Sequence, residues 1–352
     1  MKYELVPVRT RCPICEQQEG ERLYSVSSSE AASHFISEAK NPGRYQRLKE
    51  HIERLWNCES CDIVQCCDCG FCYAWPFRSG DAIFYNLAYD FIGYPLWKWE
   101  HQETLDSIRN DVLPSHPEPL RILEIGAGDG AFVKGITPEV TSSNNIVCTE
   151  YTAFGIEHIR RLGVTCYDKD IRDLFSNGFE EPFDIVCMFQ VLEHQDRLDE
   201  LFETFTRICT KNAHLYISVP NQKFIEFIET NDALLDMPPN HIGRWNSTCF
   251  KAMGQRHGWY LSAHKVGTSE SFISRARKFA VYLYMRQSQR HGTLASSVLR
   301  LRNNKLRVLA QAALVASHSI SKIPAFCRLL SGNYASSQWV HFTVADRNQA
   351  RA

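Results

Sequence analysis

The ten residues from 121 to 130, Arg-Ile-Leu-Glu-Ile-Gly-Ala-Gly-Asp-Gly, constrain the fold of this 352-residue chain more than any other segment. An apolar run at 122–125 leads directly into Gly126, Gly128 and Gly130. The run predicts a buried strand, and glycine suits the turn after it because it lacks a Cβ and tolerates positive φ. In an open α/β sheet a nucleotide-like ligand binds at such a turn. The alternative is a tight strand–helix turn that binds no ligand.

The composition is that of a soluble protein, with 44% hydrophobic residues, 22% charged residues and a net charge of −1. A nearly neutral chain has no strong attraction to nucleic acid or to anionic membranes. The first residues lack an apolar core of signal-peptide length, and no segment reaches the roughly 18 apolar residues of a membrane span. We therefore expect a cytoplasmic protein.

Eight of the 14 cysteines lie within residues 12–72, several of them as Cys-x-x-Cys pairs. Without a secretion signal, this pattern favours metal binding over disulfides. Cys12 and Cys15 supply one half of a structural four-thiolate zinc site. Cys66 and Cys69 are the favoured second half, because Gly70 follows at once and lets backbone amides turn toward the thiolates. Other pairs share the spacing, namely Cys58/Cys61 and Cys69/Cys72. The alternative is a set of reduced cysteines packed as small apolar residues.

Residues 119–270 alternate short apolar runs with amphipathic stretches, as βαβ units do. The predicted helices between the runs include Ala153–Leu162 and Leu198–Thr210. The predicted strands are Arg121–Ile125, Asn145–Glu150, Val164–Tyr167, Phe183–Phe189, His214–Val219 and Trp259–Lys265.

The spacing Gly-x-Gly-x-Gly differs from the dinucleotide fingerprint Gly-x-Gly-x-x-Gly. Preceded by Glu124, it resembles the first motif of the class I S-adenosylmethionine-dependent methyltransferases. Three later segments share the resemblance: Glu150 at the end of the second strand, Tyr-Asp-Lys-Asp-Ile-Arg-Asp at 167–173, and Phe-Asp-Ile-Val-Cys-Met-Phe-Gln-Val-Leu-Glu-His at 183–194.

The resemblance implies S-adenosylmethionine as cofactor. Glu150 would accept hydrogen bonds from the ribose hydroxyls. Asp170 would meet the adenine amino group and Ile171 would cover the ring, although Asp168 and Asp173 compete for the first role. The implied cofactor-binding residues are Glu124, Gly126, Ala127, Gly128, Gly130, Glu150, Tyr151, Asp170, Ile171, Gln190 and Val191.

The implied fold is α/β: a Rossmann-like, seven-stranded, mostly parallel sheet with helices on both faces. Its last, antiparallel strand would lie near residues 338–345. The ribbon at 66–76 resembles one that precedes this domain in a bacterial subgroup, whereas Glu16 stands where that subgroup has glycine. We expect a zinc-ribbon-like unit at 1–80 with a helical insertion, an aromatic segment at 81–118, and the methyltransferase domain at 119–352.

Two segments are candidates for the acceptor side. The aromatic stretch 94–100 includes Tyr94 as a candidate substrate contact, and in the resembling subgroup it folds over the methionine end of the cofactor. The loop Asp-Met-Pro-Pro-Asn-His-Ile-Gly-Arg-Trp at 236–245 presents His241 as a candidate base and Arg244 as a candidate fork for an anionic group. His194 is a second candidate base, with a helix-capping role as the alternative.

Residues 271–345 contain 11 lysines and arginines and no acidic residue. Helical spacing of apolar residues predicts a basic helical insert at 271–335. The insert would be a solvated cover for the acidic remainder, and contact with a membrane surface is the less favoured alternative.

The expected function is methyl transfer from S-adenosylmethionine to a hydroxyl oxygen or a carbon of a small molecule or glycan, by direct displacement. An RNA-modifying methyltransferase and a non-catalytic cofactor-binding scaffold are the alternatives. The balanced net charge of the chain and the lack of a basic stripe within residues 119–265 argue against RNA.

Overall fold

The computed structural model describes residues 5–89, 96–116, 118–137, 139–176, 181–233, 236–267, 271–289, 292–299, 301–332 and 334–344. The strands of these residues are β1 (Val6–Arg9), β2 (Glu19–Ser27), β3 (Ser60–Cys66), β4 (Cys72–Trp75), β5 (Ile122–Ile125), β6 (Ile146–Thr149), β7 (Thr165–Tyr167), β8 (Phe183–Phe189), β9 (Cys209–Pro220), β10 (Gly243–Arg244), β11 (Trp259–Val266) and β12 (Ser337–Val344). The helices are α1 (Ser28–Phe35), α2 (Pro42–Trp56), α3 (Ala82–Ala88), α4 (Trp99–Ser107), α5 (Ala131–Ile136), α6 (Ala153–Arg161), α7 (Ile171–Leu174), α8 (Leu198–Ile208), α9 (Gln222–Thr230), α10 (Ser247–Arg256), α11 (Phe272–Gln289), α12 (Leu294–Val298), α13 (Asn304–Ile320) and α14 (Ile323–Ser331).

The larger sheet has seven strands in the order β11-β12-β9-β8-β5-β6-β7. Strand β12 runs antiparallel to both of its neighbours, and the pairs among β9, β8, β5, β6 and β7 are parallel. Helices between successive parallel strands return the chain to the same edge, so the carboxyl ends of the strands meet there. This topology confirms the predicted α/β, Rossmann-like methyltransferase fold.

The predicted strands agree with the observed ones to within a residue or two, except for the fifth. Strand β9 begins at Cys209 rather than at His214, directly after α8 ends at Ile208. Of the additional residues, Cys209 pairs with Phe183 of β8 before the register shifts. The predicted helix Leu198–Thr210 is therefore shorter, because its last residues pair in the sheet instead.

The second sheet has five strands in the order β1-β2-β3-β4-β10. Its first four strands come from the cysteine-rich N-terminal region, and the predicted helical insertion forms α1 and α2. Strand β10 comes from the loop after β9, and its Gly243 pairs with Tyr73. The loop predicted to face the acceptor is thus hydrogen-bonded into the N-terminal sheet.

The two sheets share one apolar core. Phe71 and Tyr73 pack in the same cluster as Trp245, Phe250 and the strands of the larger sheet. Phe71 is fully buried, with its ring centroid 5.1 Å from that of Trp245. This packing makes the N-terminal unit a continuation of the core.

The described part of 271–332 contains the four helices α11 to α14, as its apolar spacing predicts. Phe279, Leu283 and Leu329 pack against Phe224 and Ile228 of α9. Helix α13 instead exposes large apolar side chains, with Leu306, Val308 and Leu309 each more than half exposed. In the part of the chain that the structure describes, no helix has both the length and the apolar character needed to cross a bilayer.

Replacing Phe71 with alanine should lower the free energy of unfolding by about 3–5 kcal/mol, because it leaves a cavity where the two sheets meet. Chemical denaturation monitored by fluorescence measures this. The matched control is Phe154→Ala, since Phe154 is 42% exposed and its loss should cost much less. Equal losses for both variants would contradict a shared core.

Candidate active site

The turn after β5 has the backbone that its glycines predict. Gly126, Gly128 and Gly130 all have positive φ, at 68°, 59° and 79°. A Cβ built on Gly126 would lie 2.5 Å from a methyl group of Val191. Any side chain at this position would therefore push Val191, which follows β8, away from the turn.

Two carboxyl groups lie under the turn. Glu150 accepts hydrogen bonds from the backbone N–H of Gly128 at 3.0 Å and of Thr152 at 2.9 Å. Glu124 is buried, and its Oε2 has no hydrogen-bond partner among the described residues. Burial and the nearby charges of Glu150 and Asp129 raise the pKa of Glu124 well above its ordinary value. An open glycine cradle with an acidic strand end suits a nucleoside with free ribose hydroxyls.

The residues predicted to surround the adenine lie at the start of α7. Asp170 accepts a hydrogen bond from the backbone N–H of Arg172 at 2.8 Å, and its carboxylate pairs with the guanidinium of the same residue. Burial alone would raise the pKa of Asp170, but Arg172 outweighs it and lowers that pKa. Ile171 is buried, whereas the Tyr151 side chain is 62% exposed. Tyr151 thus lies open at the rim of the site.

Gln190 has a left-handed backbone at the end of β8, with φ of 60°. Its Nε2 lies 3.4 Å from Ser218 Oγ and 3.5 Å from a carboxylate oxygen of Glu100. Glu100 is 3% exposed on α4, so this helix packs against the end of β8 that carries Gln190. Sequence reasoning assigned the aromatic segment to this place but did not select Glu100, which lies between Trp99 and His101.

The structure brings His194 and His241 together, although 46 residues separate them. Their ring centroids are 4.6 Å apart. One nitrogen of each ring and a carboxylate oxygen of Glu193 all lie within 4.8 Å of one another. The backbone N–H of Ile242 donates to the Glu193 carbonyl at 2.9 Å and fixes the loop to the end of β8.

The tautomers of both histidines follow from their partners. His194 Nδ1 lies 2.7 Å from the carbonyl oxygen of Asn240, and His241 Nδ1 lies 3.0 Å from a carboxylate oxygen of Asp236. These oxygens only accept, so Nδ1 of each ring carries the hydrogen and Nε2 of each neutral ring keeps the lone pair.

The electrostatic environments of the cluster residues differ. Burial and nearby His241 lower the pKa of His194 to about 3. Burial also lowers the pKa of His241, but the charge and hydrogen bond of Asp236 outweigh it, and the net shift is upward. Burial raises the pKa of Glu193 to about 7. Glu193 and Asp236 were not selected from the sequence, although Glu193 directly precedes His194 and Asp236 opens the histidine loop.

Arg244 does not have the free fork that the sequence suggested. Its guanidinium donates to both carboxylate oxygens of Glu229, at 2.8 and 2.7 Å, and to the hydroxyl of Tyr24 at 2.8 Å. The Arg244 and Glu229 side chains are only 6% and 0% exposed. These contacts describe a buried wall residue rather than a substrate contact. Tyr94, the other candidate, lies outside the described residues.

The four favoured cysteines come from two turns. Cys12 and Cys15 lie between β1 and β2, and Cys66 and Cys69 lie where the chain turns from β3 to β4. The thiols of Cys12, Cys15, Cys66 and Cys69 all lie within 4.8 Å of one another. The Cys12–Cys69 and Cys15–Cys66 sulfur distances are 3.6 and 3.5 Å. Four converging sulfurs are the ligand set of a closed tetrahedral zinc site.

Both cysteine turns have the backbone that such a site requires. Gly70 has φ of 70°, and Glu16, where glycine is usual in the resembling subgroup, adopts 65° in the same region. Burial is the main cause that raises the pKa of the Cys66 thiol to about 11. Forming a thiolate there is therefore costly, and a bound cation would offset that cost.

Residues 97–265 match the family model described as a methyltransferase domain. The mitochondrial ubiquinone biosynthesis O-methyltransferase of Dictyostelium discoideum is 20% identical over 138 residues, which are 34% of this chain and 43% of that protein. The match thus spans less than half of the relative's length.

Solved structures give more distant likenesses. A SAM-dependent methyltransferase from Archaeoglobus fulgidus has a TM-score of 0.43 and 13% identity, covering 69% of this chain and 94% of its own. Coclaurine N-methyltransferase, solved with N-methylheliamine and SAH, has a TM-score of 0.42 and 13% identity, covering 72% and 75%.

The strand order, the glycine turn with its acidic strand end, and the matched domain define a cofactor-dependent group-transfer enzyme. Residues 97–265 of this chain form a methyltransferase domain, and its sheet has the strand order of the class I S-adenosylmethionine-dependent fold.

Replacing Gly126 with alanine should weaken binding of S-adenosylhomocysteine by about tenfold or more, because the added Cβ displaces Val191 and strains a backbone with positive φ. Isothermal titration calorimetry measures the affinity. Gly43→Ala is the matched control, since a Cβ on Gly43 meets no atom within 4 Å. Unchanged affinity in Gly126→Ala would place the donor elsewhere.

Proposed function

We propose that this chain methylates a hydroxyl oxygen or a carbon of a small molecule or glycan, with the acceptor bound against the cluster Glu193, His194 and His241. The observation that carries the proposal is the position of the cluster. Glu193 and His194 come shortly after Gln190 and Val191 at the carboxyl end of β8, and His241 lies beside them. Oxygen is the favoured acceptor atom, because the curated relative is an O-methyltransferase.

The walls of the proposed acceptor side come from α3 and from the two segments that carry the histidines. The Tyr85 hydroxyl on α3 lies 3.3 Å from His194 Nδ1, and the Tyr85 ring stacks on Tyr89 at 6.2 Å. The His194 and His241 side chains are 21% and 17% exposed, so both rings are mostly buried and keep a small accessible surface. Stacked tyrosines beside hydrogen-bonding imidazoles suit an acceptor with both an apolar face and hydroxyl groups.

S-adenosylmethionine, when bound, supplies an electrophilic methyl carbon on a sulfonium. Direct displacement would transfer this methyl group to the acceptor, with the electron pair of the broken carbon–sulfur bond left on sulfur and the acceptor proton released to solvent. The glycine turn and Glu150 would hold the nucleoside, and the two Nε2 lone pairs would activate the acceptor. Alignment of such a pair is worth roughly 7–11 kcal/mol over the bimolecular reaction.

Replacing His241 with alanine should lower kcat by about 10²- to 10⁴-fold, because the acceptor loses an activating group. The affinity for S-adenosylhomocysteine should stay within about twofold, since the turn that would hold the nucleoside is untouched. Incubation of the protein with labelled S-adenosylmethionine and fractionated cell metabolites identifies the acceptor pool in which to measure this.

His116→Ala is the matched control, because His116 also lies beside an aspartate, 3.3 Å from Asp184, but outside the cluster. It should retain full turnover. If His241→Ala lost turnover and donor affinity in equal measure, His241 would be a structural residue of the loop.

We also propose that Cys12, Cys15, Cys66 and Cys69 hold one structural zinc ion. Four thiolates complete a tetrahedral shell and leave no open position for substrate, so the ion would stabilise the N-terminal sheet. The second turn is tied to the methyltransferase core, because Asn246 Nδ2 donates to the Gly70 carbonyl at 3.2 Å.

Purified protein should contain one zinc ion that resists mild chelation, and Cys69→Ser should remove it and lower the melting temperature. Metal analysis by mass spectrometry and a thermal melt measure the two effects. Cys58→Ser is the control, since Cys58 is exposed and outside the group of four thiols. Equal zinc content in the two variants would rule out this ligand set.

A further inference from the structure

We propose that Glu193, His194 and His241 form a binding site for a divalent transition-metal cation that holds and activates the oxygen of the acceptor. The proposal rests on the proposed function, because it specifies how the same cluster acts. It is separate from the four-cysteine group, which would be closed to substrate.

The side chains of the cluster are those of a metal site. Two imidazole nitrogens and one carboxylate oxygen within 4.8 Å of one another match the His₂Glu sets of open metal sites, in which a further position takes water or substrate. Imidazole ligands favour zinc, iron, nickel or copper over magnesium or calcium, which prefer oxygen ligands throughout.

Both histidines are also held as metal ligands are. Metal-binding histidines donate their other N–H to a carboxylate or a backbone carbonyl, which fixes the ring and leaves one lone pair for the metal. His241 has a carboxylate in that position, Asp236 at 3.0 Å, and His194 has the Asn240 carbonyl at 2.7 Å. Both rings therefore already have the tautomer that a metal requires.

The carboxylate of Glu193 has one buried oxygen that lacks a hydrogen bond among the described residues. This oxygen is Oε2, and Glu193 is 1% exposed. His194 Nε2 lies 3.9 Å from the other carboxylate oxygen, outside hydrogen-bonding distance. A buried carboxylate oxygen without a hydrogen-bond partner is costly, and a cation between it and the two rings would satisfy it.

The charged groups around the cluster also favour a cation. Arg244 is neutralised by its pairing with Glu229 and lies farther from Asp236, at 3.7 Å. Glu193 and Asp236, both about 1% exposed, then place two carboxyl groups beside the two imidazoles. A divalent cation would bring positive charge to these carboxyl groups.

A cation at this place would do the work that an imidazole base would otherwise do. It would bind the acceptor hydroxyl at its open position and lower the pKa of that hydroxyl, so that the proton leaves to solvent before the oxygen attacks the methyl carbon. No oxidant or reductant is needed, since the cation keeps its valence.

The test is a titration of the zinc-containing full chain, treated first with a mild chelator, with Co²⁺. One equivalent should bind with a weak visible d–d spectrum and without the thiolate charge-transfer band that a cysteine site gives. The variants Glu193→Gln, His194→Asn and His241→Asn should abolish this binding. Asp236→Asn should weaken it by about 10- to 100-fold, as loss of a positioning partner does.

His116→Asn should bind Co²⁺ like the wild type, and S-adenosylhomocysteine titration of every variant reports whether the fold is intact. Three results would overturn the proposal: no saturable Co²⁺ binding, binding that persists in Glu193→Gln and His241→Asn, or a thiolate charge-transfer spectrum. Methyl transfer that survives chelation unchanged would also overturn it and leave His241 as a base. A failure of S-adenosylhomocysteine to bind wild-type protein would instead overturn the proposed function.

Discussion

The buried pair of Arg244 and Glu229 positions the acceptor side of the molecule. Arg244 belongs to the second sheet through β10, and Glu229 belongs to α9 behind the larger sheet. Tyr24 of β2 completes the group by donating to Glu229 at 2.7 Å. Removing one member of such a buried pair costs about 3–5 kcal/mol, because the other charge is left without a partner. The pair therefore fixes the N-terminal sheet against the methyltransferase core.

The loop between these two anchors carries His241, the proposed base. It leaves α9 and ends in β10, and within it Asp236 orients His241. Its Ile242 is bonded to Glu193 on the opposite side. The residues expected to bind the cofactor lie at the carboxyl ends of strands of one sheet, with the glycine turn and Glu150 on neighbouring parallel strands. The proposed acceptor site instead depends on how two sheets are joined.

This difference explains what the sequence predicts and what it does not. Six strands of the larger sheet and the residues of the glycine turn follow from local apolar runs and spacing. The role of Arg244 did not, because its partners Glu229 and Tyr24 lie 15 and 220 residues away in sequence. The same holds for the pairing of His194 with His241, which requires a loop to fold back across the end of β8. Periodicity reports what a residue does within its own element, and these contacts lie between elements.

The position of β12 has a consequence for how the chain folds. This strand lies between β9 and β11, although four helices separate it in sequence from β11. During synthesis β9 and β11 are both complete before residues 337–344 emerge, and until then the edges that β12 will cover are unpaired. Such non-local pairing is slow, and open strand edges are prone to pair with other chains. Completion of the sheet is thus a late step in folding, and the nascent chain exposes two strand edges until it occurs.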